Sequence, residues 1–381
     1  MGYSIRPVGN ACNLNCKYCY TYGSYNQKYD LISIDVIKKI FNLTINEFYK
    51  NLDYINSIYS KKDINKVKKY NPRFLTLEYA WHGGEPLLAG LDFYKNIIDL
   101  QKDIFPKNIH FVNKIQTNGT LIDEDYSKFF KKNNFAIGVS LDGPKFINDK
   151  YRVNKNDFSS FNQVIRGINI LKKNKNKFNV LSTLNNFTVN KIKPINYIDF
   201  YNNLNVDLQI NLMYPVGRGK NIVDNNLVNK YVQFLYDCFN YYLENKKITI
   251  KDFDSYIDAI FFNMPLPNCR FTTSCITKDN MLGINNNGDI YLCNRFVGLE
   301  KHKLGNIKFI NDLKEIYNIK NKLYNSYKIN DCKNCYLKNN SLCARYGGCI
   351  YAQELLGSDP LCTVTNKLFN KIIKIKDKYV I

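Results

Sequence analysis

Three cysteines, Cys12, Cys16 and Cys19 in GNACNLNCKYCY, constrain this chain more than any other feature. Their spacing lets one loop wrap three corners of an iron–sulfur cube, with Asn13, Leu14 and Asn15 as the slack of the turn; thiolates are the usual ligands of such clusters. The fourth corner has no protein ligand. Closed metal sites hold folds together, whereas an incompletely ligated metal keeps a position open for a substrate or cofactor. A structural zinc would need a fourth ligand from elsewhere. The aromatic Tyr18 stands directly before the third cysteine.

Cysteine use and charge narrow the setting. The 12 cysteines sit in a chain whose start, MGYSIRPVGNAC, has no apolar signal core, so they read as thiols kept reduced in the cytoplasm for metals or catalysis. Arg6 stands where a myristoylation motif wants Ser or Thr, and no run of about 18 apolar residues suggests a membrane span. The histidines His82, His110 and His302 give little material for a histidine-rich zinc site or a Ser-His-Asp triad. A formal charge of +21 would attract phosphates or an acidic peptide. Lysine is spread along the whole length without a dense Arg/Lys block or an aromatic-interleaved RNA motif, which favours a generally basic surface over a nucleic-acid site.

From about residue 4 to residue 220, short apolar runs alternate with segments of helical spacing, the pattern of βα units around a parallel sheet. Six strands are expected, at about Ser4–Val8, Phe74–His82, His110–Gln116, Ala136–Leu141, Phe178–Leu184 and Asp207–Tyr214. Helices such as Ser33–Phe48 and Asp123–Lys132 lie between them, the second capped by Asp123. The expected fold class is α/β. It consists of a partial (β/α)6 TIM-type barrel over residues 1–223, a helical bridging segment over 224–268, and a cysteine-rich domain over 269–381.

Loops that follow the strands carry the site in such barrels. The first strand runs into the cysteine triplet, the second into HGGEP (His82 to Pro86), the third into QTNGT (Gln116 to Thr120) and the fourth into SLDGP (Ser140 to Pro144). The polar stretch Ser57–Pro72 reads as a solvated lysine-rich loop, and Cys238, alone among aromatic residues, as a small buried hydrophobe. The segment KLFNKIIKIKDKYVI is expected to pack on the adjacent domain rather than lie on a membrane surface. From Cys269 onward, 8 cysteines joined by glycine and asparagine turns and short strands such as Gly288–Cys293 point to a segment organised by metal.

The triplet, the GGEP loop and the partial barrel together resemble the radical S-adenosylmethionine (SAM) superfamily over about residues 4–220. The resemblance implies that the methionyl amine and carboxylate of the cofactor chelate the vacant iron. One-electron reduction then gives methionine and a 5′-deoxyadenosyl radical, which takes hydrogen from a substrate. Further roles are implied residue by residue. Gly83 and Gly84 would let the main chain approach the cofactor amine, with Glu85 and Pro86 shaping that loop. Ser140 would hydrogen-bond the cofactor, and Arg152 in NDKYRV would hold its carboxylate by a charge-assisted pair. Leu212 or Met213 would contact the adenine, and Tyr18 belongs with this cofactor-binding group. Asn118 and Asp142 are further candidates, although turn formation accounts for either.

The later cysteines resemble the SPASM extension of radical SAM enzymes that modify peptides and proteins, an extension that holds two auxiliary [4Fe–4S] clusters beside the SAM-binding one. By similarity to the anaerobic sulfatase-maturing enzymes, Cys269, Cys275, Cys293 and Cys349 would hold the first auxiliary cluster, and Cys332, Cys335, Cys343 and Cys362 the second. The gaps before Cys343 and Cys349 are longer than the family's usual ones, which leaves that partition open at these two residues. Zinc ribbons are the structural alternative.

One departure bears on function. The sulfatase-maturing enzymes have an aspartate after the third extension cysteine that takes a proton from the substrate; this chain has Asn294, and an amide is no carboxylate base. CNRFVG, the later LGNI and YTYGSY more closely resemble maturases that make thioether or related cross-links in ribosomally synthesised peptides. That is the expected function, with a low-potential electron donor such as flavodoxin or ferredoxin as partner. The alternative is a formylglycine-generating sulfatase-maturing enzyme, favoured by WHGGEPLLAGLDFYK and SLDGPKFINDKYRV. Epimerisation and carbon–carbon cross-linking use the same toolkit, and a zinc-stabilised nucleic-acid-binding protein is the alternative of a different class. Because 11 residues precede Cys12, recognition of a peptide leader is expected in the Ser57–Pro72 loop, in the extension or in a partner protein.

Overall fold

The computed structural model describes residues 2–21, 29–58, 76–107, 109–222, 226–267, 281–326, 332, 335–343 and 349–375. The strands are β1 (Gly2–Ile5), β2 (Thr76–Trp81), β3 (His110–Thr117), β4 (Ala136–Ser140), β5 (Phe178–Leu184), β6 (Leu208–Leu212), β7 (Met281–Ile284), β8 (Asp289–Tyr291) and β9 (Lys303–Asn306). They form one 9-stranded sheet in the order β6-β5-β4-β3-β2-β1-β7-β8-β9. Neighbours from β1 to β6 are all parallel, joined by helical crossovers as parallel pairing requires. This is the expected partial α/β barrel. Strands β7 to β9, from the cysteine-rich segment, continue the same sheet, because β7 pairs in parallel with β1 before β8 and β9 turn antiparallel.

Local chemistry explains where elements begin and stop. The first strand ends before the expected Val8, because Pro7 has no N–H to give a ladder and Arg6 to Asn10 form a turn closed by Gly9 at φ 60°. The first helix, Ile34–Ile58, outruns the expected Phe48; no Gly or Pro interrupts residues 49 to 58. The Ser57–Pro72 loop lies outside the described residues beyond that helix end. Helix Glu124–Lys132 starts where expected, with Asp123 accepting from the Tyr126 N–H at 2.8 Å.

The core fills both faces of the sheet. Along β2 alternate residues are buried, and Tyr3 stacks on Tyr79 at 5.9 Å while Phe41 meets Tyr79 edge-on at 4.9 Å. The bridging segment forms helices Leu227–Glu244 and Lys251–Phe262, and it covers the open side of the barrel. The edge N–H of Leu208 donates to the Thr249 carbonyl at 2.8 Å, and that of Ile210 to the Asp252 carboxylate at 2.9 Å. Cys238 is fully buried in the first of these helices, as expected of a small hydrophobe.

Helix Pro360–Ile372 packs on Leu227–Glu244 with Leu361, Val364, Leu368, Phe369 and Ile372 buried, so the described part of the C-terminal amphipathic segment is spent on the protein interior. Among the described residues no helix is long and apolar enough to cross a membrane. Phe369 is fully buried and meets Tyr256 edge-on at 5.2 Å. Phe369→Ala is expected to cost about 3–5 kcal/mol of stability, read as a lowered midpoint in urea with an unchanged slope.

Candidate active site

The cysteine triplet follows β1 and is held from several sides by main-chain hydrogen bonds. Asn15 N–H donates to the Val153 carbonyl at 2.7 Å, Lys17 N–H to Tyr151 at 2.9 Å, and Arg218 N–H to the Cys19 carbonyl at 3.1 Å. From the GGEP loop, Gly84 N–H reaches the Gly9 carbonyl at 3.1 Å and Glu85 N–H the Ala11 carbonyl at 2.8 Å. A Cβ at Gly84 would run into the Ala11 carbonyl, and one at Gly83, whose φ is 121°, would lie 2.5 Å from the Gly9 oxygen. The close approach of the cysteine loop by itself demands glycine at both positions.

Glu85 anchors the next loop. Its fully buried carboxylate accepts from Leu87 N–H at 3.0 Å, Thr117 hydroxyl at 2.7 Å and Asn118 N–H at 2.7 Å. Asn118 both closes its own turn, accepting from Thr120 N–H at 3.0 Å, and donates to Asn13 at 2.8 Å inside the cysteine loop. Pro86 starts a short 3-10 turn.

All three cysteines are half-buried and free of disulfides. Leu14 N–H lies 3.4 Å from Cys12 Sγ and the Thr21 hydroxyl 2.9 Å from Cys19 Sγ, contacts of the kind that tune thiolate ligands. Burial pushes the Cys12 thiol up to about 12 and Cys16 up to about 11, so ionised thiolates here need a cation. Among the described residues no three His, Cys, Asp or Glu groups converge on one ion. A cube fits this donor set better than a single zinc does, because each thiolate then meets a different iron.

Tyr18, Asp142 and Arg152 form a buried chain beside Cys16. The Tyr18 hydroxyl donates to Asp142 Oδ2 at 2.5 Å and accepts from Arg152 at 2.9 Å. Asp142 Oδ1 takes the Thr183 N–H at 3.0 Å, which joins the β4 loop to β5. The Arg152 Nε is buried with no hydrogen-bond partner among the described residues. Ser140, at the end of β4, accepts from Gln116 at 3.0 Å. Leu212 ends β6 half-buried, and Met213 after it is buried. Ser140 and Leu212 thus lie at the C-terminal ends of parallel strands, the end from which the GGEP loop also leaves β2.

Asn294 was singled out by its position, and the structure supplies partners that sequence reasoning missed. Arg6 Nε donates to Asn294 Oδ1 at 2.8 Å, a second guanidinium nitrogen to the Asn294 carbonyl, and a third to Asn10. Asn294 Nδ2 in turn donates to the Tyr20 hydroxyl at 3.2 Å. Arg295 stacks 4.3 Å over Tyr214, just after β6. A charged residue placed directly after an apolar strand was the available signal for Arg6.

The extension cysteines are placed only in part, since Cys269 and Cys275 lie outside the described residues. Cys293 follows β8 and Cys335 N–H donates to the Cys332 carbonyl at 3.1 Å. Cys343 and Cys349 are buried, and Asp359 accepts from Cys349 N–H at 2.8 Å while its carbonyl accepts from Cys362 N–H at 3.1 Å.

A parallel partial barrel that ends its first strand in a three-cysteine loop, with a cysteine-rich segment on the same sheet, is the frame of a radical SAM/SPASM enzyme; the chain belongs to this family of peptide- and protein-maturing enzymes. The radical SAM superfamily profile matches residues 7–195, and the SPASM iron-sulfur cluster-binding domain residues 275–336. A cysteine-type anaerobic sulfatase-maturating enzyme of Clostridium novyi (strain NT) is 30% identical over 80% of this chain and 76% of its own. A serine-type anaerobic sulfatase-maturating enzyme of Bacteroides thetaiotaomicron is 31% identical over 80% of this chain and 71% of its own. The solved structure of native anSMEcpe with bound AdoMet and the Kp18Cys peptide superposes with a TM-score of 0.79 at 26% identity, over 99% of this chain and 98% of that one. The cofactors of the family are SAM and [4Fe–4S] clusters.

Two outcomes test the loop architecture. Gly84→Ala is expected to displace the cysteine loop and lower the iron retained after anaerobic reconstitution, read as iron per chain and visible absorbance. Burial raises Glu85 from its ordinary 4.5 to about 7, with its three donors pulling the other way. A carboxyl that binds its proton more tightly when folded contributes stability fully present below 4.5 and lost as pH rises through about 7. In the metal-free protein Glu85→Gln should flatten that slope, and its NH₂ facing buried donors should cost about 1–3 kcal/mol at either end. Denaturation on both sides of the window checks this.

Proposed function

We propose that this chain is a radical SAM maturase of a ribosomally synthesised, cysteine-containing peptide, in which it forms a thioether or related cross-link. The observation that carries this reading is Asn294, an amide fully engaged by Arg6 and Tyr20 at the position where sulfatase maturation uses a carboxylate base. Cys12, Cys16 and Cys19 would hold the cluster, which would give one electron to bound SAM and so supply the hydrogen-abstraction chemistry directed at the peptide.

The chain's own residues bind and orient. Arg152, steadied by Tyr18 and Asp142, has an Nε, unpartnered among the described residues, that would serve the cofactor carboxylate. Ser140 would hydrogen-bond the cofactor, Leu212 or Met213 would contact its adenine, and the Gly83–Pro86 loop would take its amine. Cys269, Cys275, Cys293 and Cys349 hold one auxiliary cluster and Cys332, Cys335, Cys343 and Cys362 the other, in a domain over 269–381 joined to the 1–223 barrel by the 224–268 bridge. A flavodoxin or ferredoxin supplies electrons in the cytoplasm.

The second reading, formylglycine formation in a sulfatase, is favoured by likeness to sulfatase-maturating relatives along most of the chain. Mass spectrometry separates the two after incubation of reconstituted enzyme with each of two substrates: cysteine-containing precursor peptides encoded beside this gene, and a sulfatase-derived cysteine peptide. A product that keeps its sulfur and lacks two hydrogen atoms is expected from the precursor. Exchange of the thiol for an aldehyde in the sulfatase peptide, with no cross-link in any precursor, overturns the proposal in favour of the second reading.

A further inference from the structure

Arg6 is a fully buried cation whose three hydrogen-bond acceptors, Asn294 Oδ1, the Asn294 carbonyl and Asn10 Oδ1, are all neutral. Among the described residues no carboxylate is paired with it. A guanidinium stays protonated in proteins, and a buried charge without a counter-charge is strongly unfavourable. Burial lowers its pKa, and the Cys19 and Cys293 thiols with the Tyr20 and Tyr351 hydroxyls lie near enough to pull the other way. The Asn294 amide ties the two cysteine regions together, since the residue after Cys293 donates to the hydroxyl of the residue after Cys19 at 3.2 Å.

We propose that Arg6 is the shared counter-charge of the N-terminal cluster and of the first auxiliary cluster, a positioning residue that raises the reduction potential of both. The inference rests on the reading that Cys19 and Cys293 are cluster ligands. A thiolate-ligated cluster gains negative charge on reduction, so a fixed cation nearby favours the reduced state, and burial leaves that interaction poorly screened. The side chain at 294 decides how much of the charge is available. An aspartate there would neutralise Arg6 locally, whereas the asparagine holds the guanidinium in place and leaves its charge to the thiolates on either side.

Redox titration of the reconstituted full-length chain, followed by electron paramagnetic resonance, tests this. Arg6→Met is expected to move the midpoint potentials of both clusters to more negative values at unchanged iron content, and Arg6→Lys to recover most of the shift. Asn294→Asp should also lower both potentials while Arg6 stays in place, which keeps the test available if Arg6→Met does not fold. Unchanged potentials in fully loaded Asn294→Asp and Arg6→Met overturn the proposal, as does a shift in Arg6→Met that Arg6→Lys fails to recover. Cys293→Ala distinguishes the underlying reading: if it retains the full wild-type iron, Cys293 is no cluster ligand and that reading falls instead.

Discussion

A strand of 4 residues, β1, has a parallel neighbour on each side, and the site hangs from its end. Pairing with β2 puts the GGEP loop against the cysteine loop, close enough that main chain meets main chain at Gly9 and Ala11. Pairing with β7 brings the antiparallel strands of the extension alongside, and with them Cys293 and Asn294. Backbone hydrogen bonds are short and directional, so two cysteine-bearing segments far apart in sequence are fixed relative to each other by a ladder rather than by loops.

The loops after β2, β3 and β4 build outward from that anchor by polar contacts that are almost all buried. Glu85 gathers donors from the next loop, Asn118 reaches back to Asn13, and Asp142 joins Tyr18 to β5. Such networks specify one arrangement because a displaced member leaves a buried group unsatisfied. Rigidity of this kind suits a site that confines a reactive radical, where a small misplacement exposes the wrong bond.

Much of this was legible in the sequence. The alternation of apolar runs and helical spacing placed all six barrel strands, and Phe178–Leu184 falls on its expected bounds. The cysteine spacing and the GGEP, NGT and LDGP loops stood out as the segments that follow the first four strands, since these residues serve local turn chemistry that any window of sequence displays. What escaped was non-local. Nothing near Arg6 announces a partner 288 residues away, and nothing in HGGEP says that its glycines face the cysteine loop. The sheet continuing from β1 into β7 was hidden for the same reason: pairing across such a separation is set by tertiary packing, which periodicity does not encode.

The two borders of the sheet are finished differently. At β6 the outward-facing amides of Leu208 and Ile210 are taken up by Thr249 and Asp252 of the bridging segment. At the far border β9 is only 4 residues long, follows a register shift between Ile290 and Tyr291, and places Lys303 against Asp289 at 2.7 Å. Short, irregular or charged margins discourage another chain from adding a strand. Both borders of this broad, aromatic-rich sheet therefore offer little to a strand from a second chain.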